Sequence, residues 1–154
     1  MTIRWPAAYA PGVMPVHVVN TLAMAADPAA VWKRLIAAEG WPAFYTNASN
    51  VRVDGGGDLR PGVTFRWRTF GVDLVSTVEE FVPGERIAWL AHGTGVIAYH
   101  AWAIAPAASG CIVVTEETQR GVMARLGKLL MPGRMHRQHQ LWLEGLARVA
   151  MAPT

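Results

Sequence analysis

Through the middle of this chain, large apolar side chains alternate with charged ones at a period of two. Within Val63–Phe70, the residues Phe65, Trp67 and Thr69 share one face and Arg66 and Arg68 the other. That spacing belongs to a β-strand with one face buried. Gly71 permits a tight turn into Val72–Val82, Pro83-Gly84 leads to Arg86–His92, Gly93–Gly95 to Val96–Ala105, and Ser109-Gly110 to Cys111–Arg120. Strands separated by short Gly- and Pro-bearing turns read as consecutive antiparallel hairpins. Such a sheet must cover one face, and the only long helical pattern free to do so lies at the C-terminal end.

The flanks supply the remaining elements. Val16–Met24 reads as a strand. Asp27 then caps a helix with Pro28 in its first position, the helix runs over Ala29–Glu39, and Gly40 stops it. Trp41–Tyr45 forms a turn or short second helix, and Val51–Val53 a strand. After the sheet, Val122–Met131 reads as a short helix, Pro132-Gly133 interrupts, and Arg134–Val149 is the terminal helix, with Met135, His139, Trp142, Leu146 and Val149 as its buried stripe and Leu143 beside it. The first fifteen residues carry Pro6, Pro11 and Pro15, which resist both helix and central strand, so an extended arm is expected over 1–15 and a single domain over 16–150.

Composition narrows the function. Of 154 residues, 52% are apolar and only 16% charged, a greasy balance for a globular chain. Such a chain either pairs with a copy of itself or lines a cavity with apolar groups. The net charge of +3 is mild, and no nucleic-acid reading module is present. Cys111 is the only cysteine, which excludes an internal disulfide and suggests a reducing, cytoplasmic setting. No apolar run is long enough to cross a bilayer, so no stable membrane insertion is expected, and no signal peptide is read.

Strand phase assigns the inner face. Phe65, Trp67 and Thr69 are placed inward because the opposite choice buries two arginines without partners. Leu74, Ser76 and Val78 follow, with Glu80 at the inner rim. On the next strands His100, Trp102 and Ile104 are preferred over Tyr99, Ala101 and Ala103, and Ile112, Val114, Glu116 and Thr118 over Val113, Thr115 and Glu117. Neighbouring strands then bring His100 and Glu116 within reach of each other. Two readings stand for that pair. It is a satisfied polar contact that orients strands, or an acid–base pair in which the carboxylate raises the proton affinity of the imidazole. His136 and His139 lie three apart on a helix, which supplies two ligands and no third, so no metal is expected. Arg125, Lys128, Arg134 and Arg137 form either a solvated face, a cationic rim for an acidic group, or a weak membrane-surface contact.

Four stretches together resemble the START-like (SRPBCC) superfamily, and within it the polyketide cyclase/dehydrase-like branch. They are Leu22–Trp32, Leu59–Trp67 with its Pro-Gly and aromatic-Arg-aromatic pattern, Val78–Trp89 with a Pro-Gly turn, and Tyr99–Gly121. The resemblance implies an α+β helix-grip fold: a bent seven-stranded antiparallel sheet wrapped around a long C-terminal helix, with two short helices after the first strand and an apolar cavity between. It supplies no universal catalytic motif, and no cofactor is expected.

The leading expectation is a protein that binds a small hydrophobic ligand, lined by Phe65, Trp67, Trp89, His100, Trp102, Met135, His139, Trp142 and Leu143, with Trp41, Phe44 and Tyr45 guarding the mouth. The alternatives are a cyclase/dehydrase-like enzyme using His100 and Glu116, and a homodimeric interaction protein sealed by the aromatic arm.

Overall fold

A computed structural model describes residues 2–152. Seven strands form one antiparallel sheet: β1 (Val16–Met24), β2 (Ala48–Val53), β3 (Thr64–Thr69), β4 (Val72–Val82), β5 (Arg86–Gly93), β6 (Val96–Ala107) and β7 (Gly110–Arg120). Their spatial order is β1-β7-β6-β5-β4-β3-β2. Two helical segments, α1 (Pro28–Ile36) and a 3-10 stretch over Ala38–Ala43, separate β1 from β2, and α2 (Val122–Leu130) and α3 (Arg134–Met151) close the chain. This is the helix-grip architecture.

Local chemistry accounts for these elements. Asp27 caps α1 by accepting from the Ala29 amide at 2.7 Å, with Pro28 in the first turn, and the helix stops at Ile36, earlier than the expected Glu39. The β3–β4 hairpin turns through Phe70 and Gly71, both at positive φ, the combination of a two-residue type I′ turn. Pro132-Gly133 separates α2 from α3 outright, because Gly133 adopts the left-handed conformation and proline cannot continue the preceding helix. Pro106 does not break β6, which runs on to Ala107 beside its own hairpin.

The helix α3 lies across the inner face of the sheet. Its C-terminal half packs tightly through Trp142, Leu143, Leu146 and Ala147. A Cβ at Gly145 would overlap the carbonyl oxygen of Phe44, so only glycine lets the helix approach the segment after the 3-10 turn this closely. The N-terminal half stands off and is tethered to β1, where Asn20 donates to the His136 carbonyl and to Gln140, each at 3.1 Å.

The outer face is covered as well. Tyr9 stacks on Tyr99 at 5.6 Å, Trp5 packs beside it, and Thr118 donates to the Tyr9 carbonyl at 2.7 Å. Tyr99, Ala101 and Thr118 are therefore buried although they point away from the cavity. Both faces of β6 are dry, and this removes the polar–apolar contrast that normally distinguishes inside from outside.

Two phase assignments change. A bulge between Val78 and Glu80 reverses the end of β4, setting Phe81 opposite Ile87 and Glu80 opposite Ala88. Glu80 consequently faces outward and pairs with Arg86 at 2.9 Å. On β7 the inner face is Val113, Thr115 and Glu117, while Ile112 is exposed.

Candidate functional site

Between α2, the first half of α3 and the inner sheet lies a cavity of about 650 Å³. Trp67, Leu74, Trp89, Ala91, Ala98 and Trp142 give it an apolar wall. Tyr45, stacked on Trp142 at 4.5 Å, also lines it, and burial pushes its phenol well above the ordinary range.

The polar end of the cavity is built by three buried side chains. The β6–β7 register sets His100 opposite Glu117, and α3 lowers His139 onto both. Oε2 of Glu117 lies 3.0 Å from Nδ1 of His100 and 3.1 Å from Nε2 of His139, and the two imidazoles stack at 4.8 Å. A carboxylate only accepts, so both facing ring nitrogens carry hydrogens. Nε2 of His100 then accepts from the Thr115 hydroxyl at 2.7 Å, and Gln119 donates to the second carboxylate oxygen. Burial alone would raise the Glu117 carboxyl, but its imidazole neighbours outweigh that and hold it well below the usual carboxylate range. His100 is lowered, chiefly by burial and against the pull of Glu117. The arrangement is an ionised carboxylate gripped by two imidazole N–H groups.

Several buried polar atoms near this cluster have no partner among the described residues: Nδ1 of His139 and the indole nitrogens of Trp89, Trp102 and Trp142. The three indoles surround His100 at ring separations of 5.0, 5.4 and 5.5 Å. Unpartnered buried polar atoms are uncommon, and three of these four belong to residues that line the cavity: Trp89, His139 and Trp142.

The pair expected from sequence is not formed. Glu116 points to the other side of β7, where it meets His17 at 2.7 Å, and the partner of His100 is the next residue. The reason is the single-residue phase of the strand, which the doubly covered sheet conceals. Tyr45, Trp67, Trp89, His100, Met135, His139 and Trp142 line the cavity, whereas Phe65, Trp102 and Leu143 lie in the core behind it. Trp41 does not guard the mouth: it is fully buried, donates to the Leu35 carbonyl at 2.9 Å and sits among Phe65, Trp67, Trp89 and Trp142. Phe44 rests over Gly145 instead. At the mouth stand Phe70 and Arg134, the guanidinium 5.4 Å from the ring centre.

His136 is exposed and forms no ligand pair with His139. A different set was missed: His100, Glu117 and His139 offer donor atoms within 4.8 Å of one another, a two-imidazole, one-carboxylate combination of the type that takes zinc or ferrous iron. Holding an ion at roughly 2.0–2.2 Å requires both imidazoles to release their facing protons and close inward. The repeated glutamates in Thr115-Glu116-Glu117 were the available signal, and the register with His100 chose between them.

Fold and cavity together define a helix-grip protein with an apolar cavity beneath its terminal helix. Residues 15–151 match the family described as polyketide cyclase / dehydrase and lipid transport, and the chain belongs to that family. Among solved structures it is similar to the hypothetical protein jhp0584 from Helicobacter pylori, with 29% identity over 97% of this chain and 96% of that one and a TM-score of 0.90. TTHA0849 from Thermus thermophilus shares the fold at 18% identity, covering 88% and 97% of the two chains, with a TM-score of 0.73. DynU16 of the dynemicin biosynthetic locus does so at 15% identity, covering 86% of this chain and 46% of that one, with a TM-score of 0.64. A comparison with curated proteins finds no match.

Proposed function

We propose that this protein binds a small, largely apolar molecule that carries an uncharged hydroxyl or carbonyl oxygen at its inner end. The observation that carries the reading is the apolar cavity of about 650 Å³ lined by the buried Glu117 cluster and by Trp89 and Trp142, whose indole N–H groups have no partner among the described residues. The volume falls within the usual range of ligand pockets. The indoles favour an acceptor oxygen, Nδ1 of His139 favours a hydroxyl donor, and the Glu117 charge disfavours a carboxylate at the same place. A greasy ring or acyl chain would fill the space between Trp67, Leu74, Ala98 and Trp142.

The test is tryptophan fluorescence titration with matched ligands: an aromatic ketone or long-chain alcohol against the corresponding carboxylic acid. Binding of the neutral compounds at least tenfold tighter than the acid supports the reading. Equal affinities, or no binding of either, sink it.

The cluster also favours a cyclase/dehydrase-like activity. His139 lines the cavity with Nδ1 unpartnered among the described residues while Nε2 faces Glu117, so Nδ1 can take a proton from carbon next to a ligand carbonyl and return it to a departing hydroxyl; a C–H and a C–O bond break, a C=C bond forms and water leaves. His139→Gln abolishing turnover of a β-hydroxyketone while ligand binding survives would support this second role. Unchanged turnover would remove it.

A further inference from the structure

The helix α2 has an unusual surface. Leu129 is 76% exposed, Leu130 70% and Val122 62%, and Met123, Leu126 and Met131 are exposed as well. These six belong to one ten-residue stretch. Single exposed apolar residues are ordinary, but a contiguous group of this size marks a contact surface. Ala124 is the only buried residue of the helix, so α2 is held to the rest of the molecule by little. The same stretch roofs the cavity: Met123, Leu126, Leu130 and Met131 also line its open space, whereas Val122 and Leu129 lie outside the lining.

Charge is distributed with the same bias. From Thr118 to Leu143 the chain carries Arg120, Arg125, Lys128, Arg134 and Arg137 and no acidic residue. The other nine lysines and arginines of the chain stand against all eleven of its acidic residues. The net positive charge of the protein therefore resides in the segment containing α2 and the start of α3, beside the exposed leucines and the cavity mouth.

We propose that α2 and the turn after it dock on an anionic lipid bilayer and turn the cavity mouth toward it. Short helices that combine projecting leucines with flanking lysines and arginines suit the membrane interface, where apolar side chains enter the acyl boundary and cations meet anionic headgroups. A second copy of the chain fits less well. A twofold interface would oppose α2 to α2 and set the two cationic rims against each other with no acid from this segment to pair them. No helix among the described residues is long and apolar enough to cross a membrane, so the contact is peripheral and reversible. The roof of the cavity is then the surface that touches lipid, and displacement of α2 on docking opens a path for an apolar molecule between bilayer and cavity.

The experiment is co-sedimentation of the full chain with phosphatidylcholine vesicles with and without phosphatidylglycerol. The expected result is binding to the anionic vesicles alone, falling steeply with added salt. Leu129→Asp, at an exposed position outside the cavity wall, should weaken it at least tenfold with unchanged thermal melting and unchanged ligand titration. The pair Arg125→Gln and Arg137→Gln should weaken it similarly and flatten the salt dependence. The proposal is overturned by absence of binding to anionic vesicles at low salt, by variants that bind as the wild type does, or by a dimer in sedimentation analysis that Leu129→Asp dissociates. Failure here leaves the ligand titration of the cavity untouched, so the two readings fall separately.

Discussion

The carboxylate of Glu117 lies 3.0 Å from Nδ1 of His100, and both side chains are buried beneath α3. This contact joins β6 to β7 at the cavity floor, and His139 extends it to the helix. It makes the assembly of the sheet with its helix depend on a charged group shielded from water.

Glu117→Ala removes the acceptor that faces both imidazole N–H groups. The expected loss is about 3 kcal/mol, typical when one partner of a buried charged network is deleted. Glu116→Ala, which removes only the partly solvated contact to His17, should cost less than about 1 kcal/mol. Urea denaturation of the two variants checks this; equal losses would contradict the observed strand phase.

Stability should depend on pH with a defined sign. Burial pushes His100 below its ordinary value of 6.5, so the unfolded chain takes up that proton before the folded one does. The contribution of neutral His100 is complete above about pH 6.5 and is lost as pH falls below it. Glu117, held below its ordinary 4.5, adds a second decline under that value. Urea midpoints measured from neutral to mildly acidic pH should show the first decline in the wild type and a flatter profile in His100→Gln.

Two glycine substitutions should act in opposite directions. Gly145→Ala sets a methyl group against the Phe44 carbonyl and should destabilise by about 1–3 kcal/mol, as overpacking does. Gly127 has open space around its Cα within α2, so Gly127→Ala should stabilise by up to about 1 kcal/mol through helix propensity. Thermal melting of the pair reads both signs.

Ala98 lies on the cavity wall among apolar neighbours. Ala98→Phe would place a ring in the empty volume, cutting affinity for any cavity ligand at least tenfold while changing stability by less than about 1.5 kcal/mol. Fluorescence titration and urea denaturation of the same sample separate the two effects.

The hairpins, the Asp27 cap and the inward phase of Phe65 and Trp67 were legible in sequence, whereas whether Pro132 kinks one helix or separates two was not. Each legible feature rests on interactions between residues a few positions apart: a capping carboxylate, a glycine at positive φ, a period of two with arginines on the wrong side to bury. The candidate site was legible only in part. His100 and His139 could be singled out as histidines on apolar faces, but their common partner could not. Thr115-Glu116-Glu117-Thr118 presents a threonine and a glutamate to each side, and nothing within the strand says which side is dry.

Period and punctuation along the chain therefore decided that a sheet would form and that a terminal helix would cover it. Tertiary contact decided the rest. The N-terminal segment packed its rings on the outer face and erased the polarity contrast of the central strands, and the β6–β7 register then carried Glu117 to His100. Trp41 went to the core because four other rings converge there. Local patterns report only whether a residue is buried. Which partner it meets inside depends on groups brought from opposite ends of the chain, and their separation in sequence carries no trace of that meeting.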